Sequence, residues 1–128
     1  MRTVFGDVPG RAAWLLGPLQ PFVDDPAVTD VLVNGAEGVW VDRGGGPERV
    51  RVDLGGEAAV RALAVRLAAA AGRRLDESLP WVDARLPDGV RMHAVVPPVS
   101  PAGTHLSLRM LRPGRLDLAA LDAAAAGS

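Results

Sequence analysis

The chain has 128 residues, 48% of them hydrophobic, and a formal net charge of −1 at pH 7. This length and apolar content predict one domain with one core. The near-neutral charge excludes a general attraction to nucleic acid or to an anionic membrane, so phosphate binding would need a local cluster of cations. There is no cysteine, which excludes disulfides and thiolate metal sites. All 14 basic residues are arginine, and without lysine the chain has neither a Walker A loop nor a Schiff-base amine.

The N-terminal segment does not have the pattern of a signal peptide, because Gly10, Arg11 and Gly17 interrupt its apolar residues. The longest apolar stretch, "LAVRLAAAA", contains Arg66 and is too short to span a membrane. We therefore expect an intracellular domain.

The first half of the chain predicts one helix and three strands. Residues 12–25, "AAWLLGPLQPFVDD", predict a short helix that is broken near Gly17. Residues 28–33 and 39–42 predict two strands joined by a turn at "NG". A third strand is predicted in residues 47–54, "PERVRVDL", where valines alternate with charged side chains. Three short strands in sequence predict an antiparallel meander.

The second half predicts a long helix, three more strands and a final helix. Apolar residues recur at helical spacing in residues 57–71, and Gly72 stands where a C-cap glycine belongs. A hairpin in residues 79–98 and a strand in "THLSLRMLR" follow, and Asp117 is the predicted N-cap of a helix that continues to residue 128. The predicted fold class is α+β, with a largely antiparallel sheet of about six strands in two groups of three and flanking helices.

The hairpin "ARLPDGVR" sets two arginines side by side. Its turn residues, "PDG", suit a three-residue loop that ends in a glycine with positive φ. That register pairs Arg85 with Arg91 and Asp83 with His93 on one face, and places only apolar pairs on the other face. Like charges directly opposed on a sheet are destabilising, so this pairing requires an explanation.

An anion site is one explanation for the paired arginines, since the guanidinium fork matches phosphate oxygens. Alternation in "LSLRM" puts Arg109 on the polar face of the following strand, and we expect it beside the hairpin. Three converging arginines would form a phosphate clamp. The alternative is that the arginines extend into water or pair with carboxylates, of which the candidates are Asp76, Glu77 and Asp83.

Other polar residues give weaker indications. His93 and His105 lack a third ligand at a suitable spacing, so no metal site is predicted. Asp83 near His93 could be a catalytic pair, but no serine or cysteine nucleophile is evident, and a structural hydrogen bond is the simpler interpretation. Arg73 and Arg74 follow the long helix, where cations complement the helix dipole. We predict no catalytic residue in this chain.

The tryptophans do not indicate nucleic-acid binding. Trp14, Trp40 and Trp81 are predicted to be core or interface anchors rather than a base-stacking platform. No basic stripe with interleaved aromatic residues is present in the sequence.

Three segments carry a family resemblance. "GRRLDESLPWVDARLPDGVRMHAVVPP", residues 72–98, closely resembles the segment just ahead of the catalytic domain in type II/IV secretion ATPases of the CpaF group, which drive tight-adherence pili and related secretion machines. "DPAVTDVLVNGAEGVWVDR", residues 25–43, resembles the family's earlier strand pair, and "LSLRML" resembles its strand before the Walker region. The likeness covers residues 25–124, and the motifs are specific in combination.

The resemblance implies an N-terminal domain, PAS-like in several relatives, that a linker joins to a RecA-like ATPase domain in a hexameric ring. It implies ATP as the cofactor, bound between the two domains, with magnesium held by the RecA-like domain. Arginines of the N-terminal domain approach the phosphates in this family. The matching positions here are Arg85, Arg91 and Arg109, with Arg73, Arg74 and His93 as further candidates, and His93 replaces a more usual asparagine.

The resemblance also implies a domain division and partners. Residues 1–24 would be an N-terminal helical segment, residues 25–113 the α+β domain, and residues 114–128 a linker helix toward the RecA-like domain. The implied partners are that RecA-like domain, identical subunits of the hexamer and the inner-membrane secretion apparatus, at a cytoplasmic location peripheral to the inner membrane. Without a Walker A lysine, the chain alone is expected not to hydrolyse ATP. The alternative is a free-standing PAS-like ligand-binding or protein-interaction module without ATPase activity.

Overall fold

Six strands form one antiparallel sheet in the computed structural model, which describes residues 16–35, 37–86 and 89–110. The strands are β1 (Asp30–Asn34), β2 (Gly38–Asp42), β3 (Pro47–Val50), β4 (Trp81–Arg85), β5 (Arg91–Val95) and β6 (His105–Arg109). Their order across the sheet is β3-β2-β1-β6-β5-β4. Each group of three is a meander, and pairing of β1 with β6 joins the two groups. The predicted α+β fold is confirmed.

The helices begin and end close to the predicted positions. A 3₁₀ helix (Gly17–Leu19) precedes α1 (Gln20–Asp24), so the helix is interrupted at Gly17 as predicted. The long helix α2 is Glu57–Ala70, and its end is a Schellman motif in which Gly72, with φ +77°, donates to the carbonyl of Ala69 at 2.9 Å. No helix within the described ranges is long and apolar enough to cross a membrane.

Two strands differ from their predicted bounds. β1 begins at Asp30 rather than at residue 28 and includes Asn34. β3 ends at Val50, whereas the alternating pattern predicts a strand up to residue 54. The physical reason is the length of the partner, because Val50 pairs with Val39, the second residue of β2. The predicted helix that starts at Asp117 lies outside the described residues.

Helices cover one face of the sheet. Every strand except β3 contributes alternate side chains to the core on this covered face, which include Val31, Val33, Val39, Val41, Val82, Met92, Ala94, Leu106 and Leu108. The buried residues of α2 belong to the same core cluster and are Val60, Leu63, Ala64, Leu67 and Ala68. Leu16 and Leu19 extend that cluster from the N-terminal side.

A buried polar contact fixes the start of β6. The carboxylate of Glu57, in the first turn of α2, accepts hydrogen bonds from the Thr104 N–H at 2.9 Å and the Thr104 hydroxyl at 2.6 Å. The Gly35 N–H donates to the Thr104 carbonyl at 2.6 Å. Thr104 is fully buried, and unpaired polar groups there would be costly. The strand that carries Arg109 is therefore anchored at its first end to both α2 and the turn after β1.

Candidate anion site on the open sheet face

The open face of the sheet, opposite the helices, carries the polar side chains of the strands. Its residues on the four neighbouring strands β1, β6, β5 and β4 include Asp30, Leu32, Asn34, Asp83, Arg85, Arg91, His93, His105, Ser107 and Arg109. The antiparallel register aligns these side chains in rows across the sheet. Each row therefore brings together residues that are distant in the sequence.

One row consists of three arginines on three neighbouring strands, and we call it the arginine row. Arg85 on β4 pairs with Arg91 on β5, as the hairpin prediction has it. Arg91 in turn pairs with Arg109 on β6. Since neighbouring strands lie ~4.8 Å apart, three guanidinium groups start from backbone positions within about 10 Å of one another. The arginine row concentrates positive charge that the sum over the chain does not reveal.

Local geometry of the hairpin maintains this register. The Leu86 N–H donates to the Val90 carbonyl at 2.7 Å, and the Gly89 N–H donates to the Leu86 carbonyl at 2.9 Å. Gly89 has φ +95°, which a side chain would strain. The other two turn residues, 87 and 88, lie outside the described residues. These two hydrogen bonds fix the register of β4 against β5, so Arg85 stays opposite Arg91.

Carboxylates approach two of the three arginines from the side. The Arg109 Nε lies 3.0 Å from Asp30 Oδ1, and the Arg91 Nε lies 3.8 Å from Asp83 Oδ1. The side chains of Arg109 and Arg91 are nevertheless 69% and 53% exposed. Arg85 makes no ion pair or hydrogen bond with any residue that the structure describes. Pairing with carboxylates thus accounts for one edge of two guanidinium groups and leaves the remaining donors exposed.

A depression on the open face joins Arg91 and Arg109 to His93. It has a volume of about 420 Å³, and Asp30, Asp83 and Ser107 also line it. His93 pairs in register with Asp83 and with Ser107, but no hydrogen bond joins these side chains within the described ranges. Within the described residues the structure thus shows neither a catalytic pair nor the structural hydrogen bond expected between Asp83 and His93, and His93 lines the same depression as Arg91 and Arg109.

Arg73 and Arg74 have partners of their own. Arg73 Nη1 donates to the Asp83 carbonyl at 3.0 Å on the outer edge of β4. Arg74 Nη2 donates to Asp76 Oδ2 at 2.9 Å. The hydrogen bond from Arg74 is the main cause that lowers the pKa of Asp76 below its usual 3.8. Each of these arginines thus has a protein partner, and their role as further phosphate-binding candidates stays a prediction.

Trp40 and Trp81 lie outside the core, and Trp14 lies outside the described residues. Trp40 is half-buried on the open face, and the guanidinium carbon of Arg49 lies 5.6 Å from the centre of its ring. Trp81 is 58% exposed, so it is not a core residue. Among the described residues, no group of three histidine and carboxylate side chains is placed to hold a metal ion.

Asp30 is the residue of this site that the sequence did not single out. Its position in "TDVLVN", where Val31 and Val33 are buried, does place it on the polar face of a strand. Its contact with Arg109 depends on the pairing of β1 with β6, across 79 residues of sequence. That long-range pairing has no local signal in the sequence.

The chain belongs to a known family. Residues 14–127 match the family described as Type II/IV secretion system protein. The chain is therefore a member of the type II/IV secretion system protein family, as the motifs indicate.

Known proteins resemble the chain in sequence and in structure. Two conjugal transfer proteins of Mycobacterium tuberculosis, from strains CDC 1551 and H37Rv, are each 53% identical over 86% of the chain. The chain spans only 33% of the length of these relatives. The structure resembles the VirB11 ATPase from the Brucella suis type IV secretion system, solved in complex with sulphate, with a TM-score of 0.69 and 28% identity over 77% of this chain and 31% of that one.

Proposed function

We propose that the chain is the N-terminal domain of a cytoplasmic secretion ATPase and that its arginine row contacts the phosphates of ATP. A RecA-like domain outside this chain would hold most of the nucleotide and the magnesium ion. The family membership and the fold shared with the VirB11 ATPase support this assignment. The relatives are about three times as long as the match, which leaves room for a second domain.

The arginine row is the observation that carries the proposal. Three positive charges paired on neighbouring strands repel one another. A bound polyanion would attract all three guanidinium groups and offset that repulsion. Phosphoryl transfer spreads negative charge over the γ-phosphate oxygens, and a well-placed guanidinium group stabilises that charge by a factor of ~10³ or more in rate. The sulphate in the VirB11 structure is a tetrahedral anion like phosphate and supports this choice of ligand.

The absence of lysine indicates which part of the ATP site this chain would supply and which part another domain would supply. A Walker A loop requires a lysine for the β- and γ-phosphates, and none of the chain's 14 basic residues is one. The chain would therefore contribute charge to a site that another domain completes. Residues 1–24 would precede the domain of residues 25–113, and residues 114–128 would link it to the RecA-like domain.

The proposal extends to the wider assembly. We propose a hexameric ring, peripheral to the inner membrane, in which closure of each RecA-like domain on ATP moves the arginine row toward the phosphates. The ring would couple that movement to the export of protein through the secretion apparatus. Membership of the CpaF group and a PAS-like origin of the domain are parts of this proposal.

Substitution of the arginines in the full-length protein tests the proposal. Arg91→Ala and Arg109→Ala should each lower kcat for ATP hydrolysis by about 10³, because each removes charge that faces the γ-phosphate. Arg66→Ala is the matched control, since Arg66 is an exposed arginine on α2. Native turnover in Arg85→Ala, Arg91→Ala and Arg109→Ala alike would refute the clamp.

The reading frame of the gene separates this proposal from a free-standing PAS-like module. The ATPase assignment requires codons for a lysine-containing G-x-x-x-x-G-K-[ST] loop downstream of Ser128. A frame that stops before any such loop would favour the free-standing module.

A further inference from the structure

The strongest unassigned contact of the site joins Asp30 to Arg109. The carboxylate oxygen Oδ1 lies 3.0 Å from Nε of Arg109, and the Asp30 side chain is only 22% exposed. A carboxylate beside an anion site is electrostatically unfavourable for the anion, so its presence there requires a second reason. We infer that Asp30 is a positioning residue, which orients the Arg109 guanidinium group toward the phosphates; this inference rests on the proposed function.

The chemistry of the guanidinium group explains why contact at Nε is suited to this role. Arginine has five N–H donors, one on Nε and two on each terminal nitrogen. The Asp30 carboxylate engages the Nε donor and leaves the outer pair of nitrogens, the edge that binds two phosphate oxygens at once. Asp30 therefore restricts the rotation of the Arg109 side chain without using the donors that a phosphate needs.

Asp30 is itself held in place on both sides. Its second oxygen, Oδ2, lies 2.9 Å from the Thr29 hydroxyl, whose one proton is shared between this oxygen and the Asp42 carbonyl at 3.1 Å. The Thr29 backbone is fixed by two strands, because its N–H donates to the Asp42 carbonyl at 2.8 Å and its carbonyl accepts from the Met110 N–H at 2.9 Å. The carboxylate thus has one preferred orientation, and it transmits that orientation to Arg109.

Asp83 approaches Arg91 in the same manner but less closely. It also faces Nε of its arginine, at 3.8 Å, and is 51% exposed. Two carboxylates that each face Nε of an arginine in the row leave the outer nitrogens of both guanidinium groups on the same open face. The shorter and less exposed Asp30 contact should have the larger effect.

The sign of the effect distinguishes positioning from simple electrostatics. If Asp30 acts only as a nearby negative charge, Asp30→Asn should improve phosphate binding and turnover. If Asp30 positions Arg109, the same substitution should lower kcat of the full-length protein by about three- to tenfold, a change in the lower part of the range for coupled neighbouring side chains. Asp42→Asn is the matched control, because Asp42 pairs with Asp30 across β1 and β2. Its Oδ1 accepts from Gly44 and Gly46 at 2.7 and 3.2 Å, bonds that an asparagine oxygen retains.

The experiment combines kinetics with a direct measurement on the 128-residue chain. Hydrogen exchange of the Arg109 Nε–H, followed by NMR in the absence of nucleotide, should be slower than that of Arg66 in the native chain and in Asp42→Asn, and should lose this protection in Asp30→Asn. In the full-length protein, the double variant Asp30→Asn, Arg109→Ala should be no slower than Arg109→Ala alone. Thermal unfolding of each variant monitors the fold.

The outcomes separate the two proposals. Native turnover in Arg109→Ala would refute the arginine clamp itself. Impaired turnover in Arg109→Ala together with native or raised turnover in Asp30→Asn would leave the clamp intact and refute positioning. Unchanged exchange protection of the Arg109 Nε–H in Asp30→Asn would also refute positioning, whatever the kinetics.

Discussion

The two faces of the sheet are built from the same strands but are governed by different constraints. On the covered face, aliphatic side chains such as Val31, Leu106 and Leu108 are almost completely buried, and removal of apolar surface from water explains each of them. On the open face, the arginine row places like charges opposite one another, which destabilises the sheet. Burial of apolar surface therefore accounts for the covered face, whereas the arginine row has no such explanation and is the reason for the anion proposed above.

Truncation of one side chain on each face should reveal the largest difference in stability between the two faces. Leu108 is fully buried, so Leu108→Ala should lower the free energy of unfolding by about 2–5 kcal/mol through lost burial and a residual cavity. Its neighbour Ser107 is on the open face, and Ser107→Ala should change stability by no more than about 0.5 kcal/mol. Urea denaturation of the 128-residue chain measures both.

A similar loss in the two variants would contradict this division of the sheet. It would mean that the open face is packed as tightly as the covered face. The m-value of each transition should stay unchanged, because neither substitution alters the surface exposed on unfolding by much.

Removal of one charge from the arginine row should stabilise the chain, whereas truncation of a side chain on the covered face destabilises it. Arg85 has no ion-pair partner among the described residues and stands opposite Arg91. Arg85→Gln should therefore raise the free energy of unfolding by about 0.3–1 kcal/mol at low salt. Salt screens exposed charges, so the gain should shrink as ionic strength rises.

Arg66→Gln on α2 is the control for the charge effect. No charged residue stands three or four positions from Arg66 in the sequence, so this substitution should show no salt-dependent gain. If Arg85→Gln destabilised the chain at low salt, the arginines would not repel in the free domain, and the physical reason for an anion would be lost.

The local parts of the site could be predicted from the sequence, and the long-range parts could not. The hairpin register follows from the short turn before Gly89 and from alternation on either side of it, so the pairing of Arg85 with Arg91 is predictable. The exposure of Trp81 is not, because the register puts Trp81 on the face of Asp83 and Arg85 but does not show whether another element covers that face. The contact of Asp30 with Arg109 requires the pairing of β1 with β6, which depends on how the two meanders meet.

Strand β3 illustrates why strand ends are hard to predict. Alternation of valines continues past Val50 to Val52, as it does in a strand. The strand β3 stops nonetheless, because its antiparallel partner β2 begins at Gly38, only one residue before Val39, which pairs with Val50. A strand extends only as far as a partner strand forms hydrogen bonds with it, and the sequence of one strand does not show where its partner begins or ends.

Acid should weaken the connector that leads into the edge strand β4. Asp76 lies in the connector before β4, where its Oδ1 accepts hydrogen bonds from the Ser78 and Leu79 N–H groups at 2.8 and 2.9 Å. The Arg74 side chain, and then these backbone donors, lower the pKa of Asp76 below its usual 3.8. A lowered pKa in the folded state means that the charged carboxylate stabilises the fold.

The stabilisation from Asp76 should be fully present above about pH 4 and should be lost as the pH falls through the lowered folded-state pKa. The effect should be small, because the carboxylate is exposed and solvent screens its ion pair with Arg74. Amide hydrogen exchange of Ser78 and Leu79, after correction for the intrinsic pH dependence, should accelerate over this interval in the native chain. Asp76→Asn keeps an oxygen acceptor but cannot titrate, so its protection should not change with pH. Equal acid sensitivity in both chains would show that another group loosens the connector, and that the edge strand next to the arginine row does not depend on Asp76.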